Sequence, residues 1–323
     1  NTAASDLLLK GVSGPVTFEV LNGFYNEQVT FFEVAGASAS DTVTFQSQSG
    51  NAADVTLFYP AGGANDNWIV RVYGADHLRF RNMTLQCNNA PGTTYGRIAY
   101  LVWGSRDLGF SGNIFTGFNT TSTSENLALI HGVDMLYDSL TVKGNSSTNG
   151  SVGVRLNGIS NSVLTLGTRI LNNTFSGIRR GIWLEYHDAP VIEGNVIDAP
   201  GDRGIVTSYC DNALIISKNQ VSAGSGYGIY LNYCDGGLPP TGTHGLVANN
   251  FVSMAANNSD GIYLNYSTYQ DIYYNSVNAR GGTGSHGLTQ NQGNNLNVVN
   301  NIVAAHNGGR AYYINQPSAI GTS

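Results

Sequence analysis

The densest group of chemically competent side chains lies between positions 179 and 211: Arg179, Arg180, Glu185, His187, Asp188, Asp202, Arg203 and Asp211. A carboxylate, an imidazole and a guanidinium brought together could neutralise an acidic substrate and move a proton, which is general acid–base chemistry. Glu185, His187 and Arg203 are the residues that chemistry would use. Asp188, Asp211 and Asp235 follow one another at intervals of 23 and 24 residues. If those intervals stack the three carboxylates, they repel unless a proton or a cation such as calcium bridges them. The competing reading is that each Asp closes its own turn through a backbone hydrogen bond. A second group is made of rings and amides: Trp183, Tyr186, Tyr209, Tyr230, Asn232, Tyr233, Tyr263, Asn265 and Tyr266. Rings stack on the apolar faces of sugars, at about 1 kcal/mol per contact beyond area burial. The amides and Glu185 would exchange hydrogen bonds with hydroxyls. Against this, the tyrosines could simply stack on one another.

These residues share a frame. Gly-Ile-Trp-Leu-Glu-Tyr-His-Asp at 181–188 is followed by Gly-Ile-Val-Thr-Ser-Tyr-Cys-Asp at 204–211, Gly-Ile-Tyr-Leu-Asn-Tyr-Cys-Asp at 228–235 and Gly-Ile-Tyr-Leu-Asn-Tyr-Ser at 261–267. Gly153, Gly287 and Ala311 open further copies, and weaker ones begin near Ile69, Ile98 and Leu127. Each copy continues through a second apolar pair to an Asn: Asn195, Asn219, Asn250, Asn275 and Asn301. The pattern alternates with period two and is broken by turns, so the elements are short strands and helices are few. Strands this short are stable only when stacked. Stacking turns Ile182, Ile205, Ile229, Ile262 and Leu288 into an inward column, and Leu184, Leu231 and Leu264 into another. The Asn series becomes a side-chain amide ladder. His187, Cys210, Cys234 and Ser267 share an inward position. There His187 reads as a core or turn histidine, and Cys210 and Cys234 as either a disulfide or two buried thiols.

The spacing and the Gly-Ile-x-Leu…Asn motifs resemble the right-handed parallel β-helix repeats of the pectate-lyase-like superfamily, over roughly residues 69–315. The resemblance implies an all-β, single-stranded solenoid of about ten rungs. Residues 1–68 would form an N-terminal cap, with Asp6–Lys10 contributing, and opening rungs; residues 69–323 would form the regular rungs of the same continuous domain. Because the superfamily spans lyases, hydrolases, esterases, epimerases, tailspikes and adhesins, it implies no single activity. Its lyases use acidic residues, often with calcium, and an Arg or Lys base, which would give Glu185, His187, Asp188, Arg203 and Asp211 those roles. Its hydrolase triplets Asn-Thr-Asp and Gly-His-Gly are absent, and His131, His244 and His286 keep only a His-Gly pair. Tyr186-His187-Asp188 is a faint echo of the epimerase Asp-Pro-His-Glu element.

Composition narrows the partners. Charged residues make up 11% of the chain and net charge is −6, while Asn is as frequent as all four charged types together. No basic stripe exists to neutralise phosphates, which argues against nucleic acid. No apolar run is long enough to span a membrane. A low-charge, Asn-rich β protein without a leader fits a secreted or cell-surface location after signal removal. The expectation is therefore an extracellular, non-catalytic module of a larger protein, requiring no cofactor, that offers its ring-and-amide face to a polysaccharide or cell-surface glycan. The alternative is a polysaccharide lyase or epimerase acting on an acidic glycan. The rung opening near Ala311 suggests further domains or end-to-end contact at the C-terminal end.

Overall fold

The computed structural model describes residues 1–87, 92–135, 139–237 and 242–315. Three parallel sheets of eleven strands each run the length of the molecule. The first sheet begins with Val16–Val20, the second with Gly23–Asn26 and the third with Val29–Phe32; they end at Leu296–Val299, Ile302–Ala305 and Arg310–Ile314. Each coil gives one strand to each sheet and then rises to the next. The described residues form a right-handed parallel β-solenoid of eleven coils, with the hand that twisted parallel strands favour. The opening strands belong to the same three sheets as the later ones.

The motif strands form the third sheet. Val154, Ile182, Ile205, Ile229, Ile262 and Leu288 pair in register, and all are buried. The glycine that opens each motif has a steric cause. A Cβ on Gly204 would lie 2.5 Å from the carbonyl oxygen of Gly228 and 2.2 Å from Val221. Gly181, Gly228 and Gly261 meet the same obstruction from the coil above and from a valine or isoleucine of the second sheet.

The Asn ladder is present and longer than the sequence pattern reveals, running from Asn113 through Asn145, Asn173, Asn195, Asn219, Asn250 and Asn275 to Asn301. In each step a side-chain amide and the backbone N–H of one Asn both donate to the next side-chain oxygen, at 2.9–3.1 Å. The same amide donates to a carbonyl of the first sheet, as Asn219 does to Ile192. Buried turns thus keep their polar groups satisfied without water.

Near the N-terminus a helix spans Thr2–Lys10 and buries Leu7 in the core, with Ala3 and Ala4 packed against it. A cavity of about 200 Å³ remains beside it, lined by Ala3, Ala4, Tyr25, Phe31 and Val55 among others. Among the described residues no helix is long and apolar enough to cross a membrane.

Candidate functional site

On the third sheet, residues that alternate with the core columns face outward, and the register fixes which of them are vertical neighbours. One outward column runs Arg71, Tyr100, His131, Arg155, Trp183, Val206, Tyr230, Tyr263, Thr289 and Tyr313. A second pairs Asn157, Glu185, Ser208, Asn232, Asn265 and Asn291.

Toward the C-terminal end this surface is mainly an array of rings and amides, with Arg203 over Tyr227 and Arg310 over Tyr313. Tyr227, Tyr230 and Tyr263 form a cluster with centroids 4.5, 4.8 and 5.4 Å apart. Burial pushes the Tyr230 hydroxyl up to about 12, so it stays protonated and donates to Asn232 Oδ1 at 3.1 Å. Beside the rings, Asn265 donates to Asn232 and Asn291 to Asn265, both at 2.7 Å. Asn315 continues the series. At the strand ends Tyr186, Tyr209, Tyr233 and Tyr266 stack at 5.3, 5.1 and 4.8 Å. The ring-on-ring contact and an exposed edge coexist, since Tyr233 and Tyr266 are each 38% exposed.

Toward the middle and N-terminal coils the same column is charged. The Arg155 guanidinium lies 4.1 Å from the Trp183 ring centroid, and that of Arg180 lies 4.9 Å away. Arg155 bridges two carboxylates, donating from Nε to Glu125 at 2.7 Å and from Nη2 to Glu185 at 2.6 Å. His131 Nε2 is 3.4 Å from the other Glu125 oxygen. The His131 hydrogen bond, seconded by Arg155, holds the Glu125 carboxyl down to about 2, while burial lowers His131 and keeps it neutral at pH 7.

Glu185, His187 and Arg203 do not converge. Glu185 faces outward to Arg155. His187 is fully buried on the opposite side of its strand, with Nδ1 2.9 Å from Thr168 Oγ1, and burial lowers its pKa to about 4. Arg203 lies one coil on, 3.5 Å from Asp202 and over the Tyr227 ring. Asp188 and Asp211 are register partners, and Asp235 stands one coil further. Their oxygens are taken up locally: Asn212 donates to Asp188, the backbone N–H of Asp235 to Asp211 at 3.0 Å, and Thr268 to Asp235 at 2.7 Å. These contacts run from one coil to the next rather than within each residue's own turn. Among the described residues no group of three or more His, Cys, Asp or Glu side chains is placed to hold a metal ion. Cys210 and Cys234 are free, buried thiols in consecutive coils.

Several residues of this surface escaped the sequence reading. Glu125 sits in a short 3₁₀ turn, Glu125–Leu127, outside any motif copy. Arg97, Tyr100 and Trp68 belong to weak copies near Ile69 and Ile98. Aligning the residue two after Ile98 with Trp183 would have found Tyr100. Trp103, 72% exposed with φ 64°, stacks on Tyr73 at 5.4 Å beyond the end of its strand.

The family model described as periplasmic copper-binding protein (NosD) matches residues 135–253 and 168–319. Among solved structures, the A-module of the mannuronan C-5 epimerase AlgE6 of Azotobacter vinelandii aligns over 98% of this chain and 94% of its own, with 13% identity and a TM-score of 0.49. Tailspike protein 3 of bacteriophage CBA120 aligns over 95% of this chain and 54% of its own, with 11% identity and a TM-score of 0.36. No curated protein sequence matches.

Copper is held by converging Cys, Met and His donors. Here the histidines are dispersed over separate coils: His77 pairs with Asp107, His131 with Glu125, His187 with Thr168, His244 with Asp271 and His306 with Asn278, while His286 packs on Tyr313. His187, Cys210 and Cys234 form a line through the core rather than a shell around one point. The two thiols donate to the carbonyls of Ser208 and Thr207, and burial pushes the Cys210 thiol up. The described residues thus do not fit the ion in the family's description. The fold and the repeat do fit: the two matches together cover more than half of the chain, and the chain belongs to the NosD family of periplasmic β-helix proteins.

Proposed function

We propose that this protein is a non-catalytic, extracytoplasmic module that binds an extended polysaccharide along the outer face of its third sheet. One observation carries the reading: Trp183, Tyr230 and Tyr263 share one outward column and Glu185, Asn232 and Asn265 the next, in register, with Val206 and Ser208 on the one coil between Trp183 and Tyr230. Coils rise by about 4.8 Å, so a linear glycan lying along the axis meets a ring beside an amide on the two neighbouring coils of Tyr230 and Tyr263, and Trp183 beside Glu185 two coils before them. The tyrosine stack from Tyr186 to Tyr266 borders the track and supplies further ring edges. Trp183 lies against the guanidinium groups of Arg155 and Arg180, whose ion pairs with Glu125, Glu185 and Asp202 hold them beside its ring. Residues that could cleave a glycan stay apart, with His187 in the core and Glu185 tied to Arg155. The chain's low charge and Asn-rich surface suit a secreted or cell-surface setting.

Affinity electrophoresis through gels containing polysaccharide tests this reading. Retardation in one or more glycans is expected, and Tyr230→Ala and Tyr263→Ala should each weaken it about fivefold, the loss of one ring contact of about 1 kcal/mol. Migration unaffected by both substitutions would remove the basis of the proposal. Accumulation of unsaturated, ultraviolet-absorbing product from a uronate polymer would replace binding with lysis.

A further inference from the structure

The N-terminal half of the outward column contains positive charge that the protein leaves unpaired. Arg79, Arg155, Arg180 and Arg203 all have a carboxylate partner. Arg71 and Arg97 have none among the described residues. The Arg71 guanidinium lies 3.9 Å from the Trp68 ring centroid and donates only to Thr30 Oγ1. Arg97 is 8% exposed, lies 4.1 Å over Tyr100 and donates from Nη2 to the side-chain oxygen of Asn126. A buried cation without a counter-ion is costly, and a ring face compensates only in part. Burial draws both guanidinium groups below the usual arginine value.

Unmet hydrogen-bonding capacity gathers at the same place. Trp68 Nε1, Arg97 Nε and His131 Nδ1 are buried without a partner. All three surround Tyr100: its ring stacks on Trp68 at 6.5 Å, carries Arg97, and neighbours His131 at 5.8 Å. Each unmet atom has a defined sense. Trp68 Nε1 and Arg97 Nε can only donate. His131 is neutral, and with Nε2–H turned to Glu125 its Nδ1 is an acceptor. The Glu125 carboxylate acts on Arg97 through space, but its close contacts are with Arg155 and His131, and Trp68 Nε1 and Arg97 Nε stay without an acceptor.

We propose that this cluster, Trp68, Arg71, Arg97, Tyr100 and His131, is an anionic-sugar subsite that takes one uronate unit of the polysaccharide. The sugar carboxylate accepts from Arg97 and Trp68 in the field of Arg71. A ring hydroxyl donates to His131, and the apolar sugar face lies on Tyr100. This deepens the polysaccharide reading and rests on it, adding cations without a carboxylate partner, whereas Arg203 beside the Tyr230 cluster is paired with Asp202. The two regions are five coils apart, about 24 Å.

The test uses the full chain with galacturonate trimer and its methyl ester, followed by intrinsic tryptophan fluorescence. The trimer is too short to bridge Tyr100 and Tyr230, so its dependence on Trp68 and Arg71 reads this subsite, while gel retardation of Tyr230→Ala reads the longer face. Saturable fluorescence change is expected with the acid, at least tenfold weaker with the ester. Trp68→Phe, which keeps a ring and removes the donor, and Arg71→Gln should each weaken trimer binding about tenfold, the scale of one charge-assisted hydrogen bond, with melting temperatures near that of the parent. Equal affinity for acid and ester, no response to the trimer, or unchanged affinity in both variants overturns the proposal. If gel retardation still depends on Tyr230 in any of those cases, the polysaccharide reading stands without it.

Discussion

At Tyr186, Tyr209, Tyr233 and Tyr266 the backbone takes φ values of 62°, 49°, 50° and 50°, a left-handed conformation that bulky residues rarely adopt and that costs about 1–2 kcal/mol each. Glycine would be cheaper there, and its absence in four consecutive coils points to what the rings contribute by stacking at the border of the face. Ionisation offers a second residue-scale test. Burial raises Asp211 to about 6, with Asp235 and Asp188 nearby adding repulsion. A carboxyl whose folded pKa lies above its unfolded value binds more protons in the folded state between the two values. Its stabilising contribution is whole below about pH 4 and is lost as pH rises through 6. Asp211→Asn keeps the oxygen that accepts from Asp235 N–H. It should therefore raise the melting temperature at pH 7.5 and leave it nearly unchanged at pH 4; thermal denaturation at both pH values checks this. A calcium ion on the Asp column would reverse the result, because it would favour the charged form.

At the scale of the coil, two amide ladders divide structural from binding roles. Asn219→Ala would leave the backbone N–H and side-chain amide of Asn195 without their acceptor in a buried turn, and should cost about 3 kcal/mol in denaturant unfolding. Asn232→Ala, in the outer ladder where water replaces the lost partner, should cost less than about 1 kcal/mol. Equal costs would contradict the division. The coil was the legible unit of this sequence, because Gly181, Gly204, Gly228 and Gly261 are each forced by the backbone above them, and the Asn ladder and both leucine–isoleucine columns follow from that spacing. The site was half legible. Tyr230, Tyr263 and Asn232 could be placed from the motif, because strict alternation decides which side of a strand faces out. His187 could be placed only from the Cys210, Cys234 and Ser267 that share its position: alternation alone would put it on the side of Glu185, and the left-handed backbone at Tyr186 turns it into the core. The Arg97–Tyr100–His131 cluster could not be read so easily, since its coils carry Ala99 and Gly132 where the later motifs carry their regular residues. Glu125 reaches it from a turn whose path no periodicity encodes.

Across the whole molecule, the third sheet differs from the other two. It carries Arg71, Arg155, Arg180 and Arg203, the clustered tyrosines and the outer amides, while the second sheet presents mainly short polar side chains such as Ser146, Thr174, Ser222 and Ser253 beside isolated apolar ones such as Phe251. A polymer bound on the third sheet would pass from the ring-and-amide Tyr230 region to the cationic Tyr100 region along one straight axis. Hydroxyl-radical footprinting of the full chain, with and without a polysaccharide that retards it, tests this placement most directly. Protection is predicted at Tyr230, Tyr263 and Trp183, with Phe251 on the second sheet and Tyr274 beside the first oxidised at unchanged rates. Protection centred on Phe251 or Tyr274, or none on the third sheet, would contradict the account.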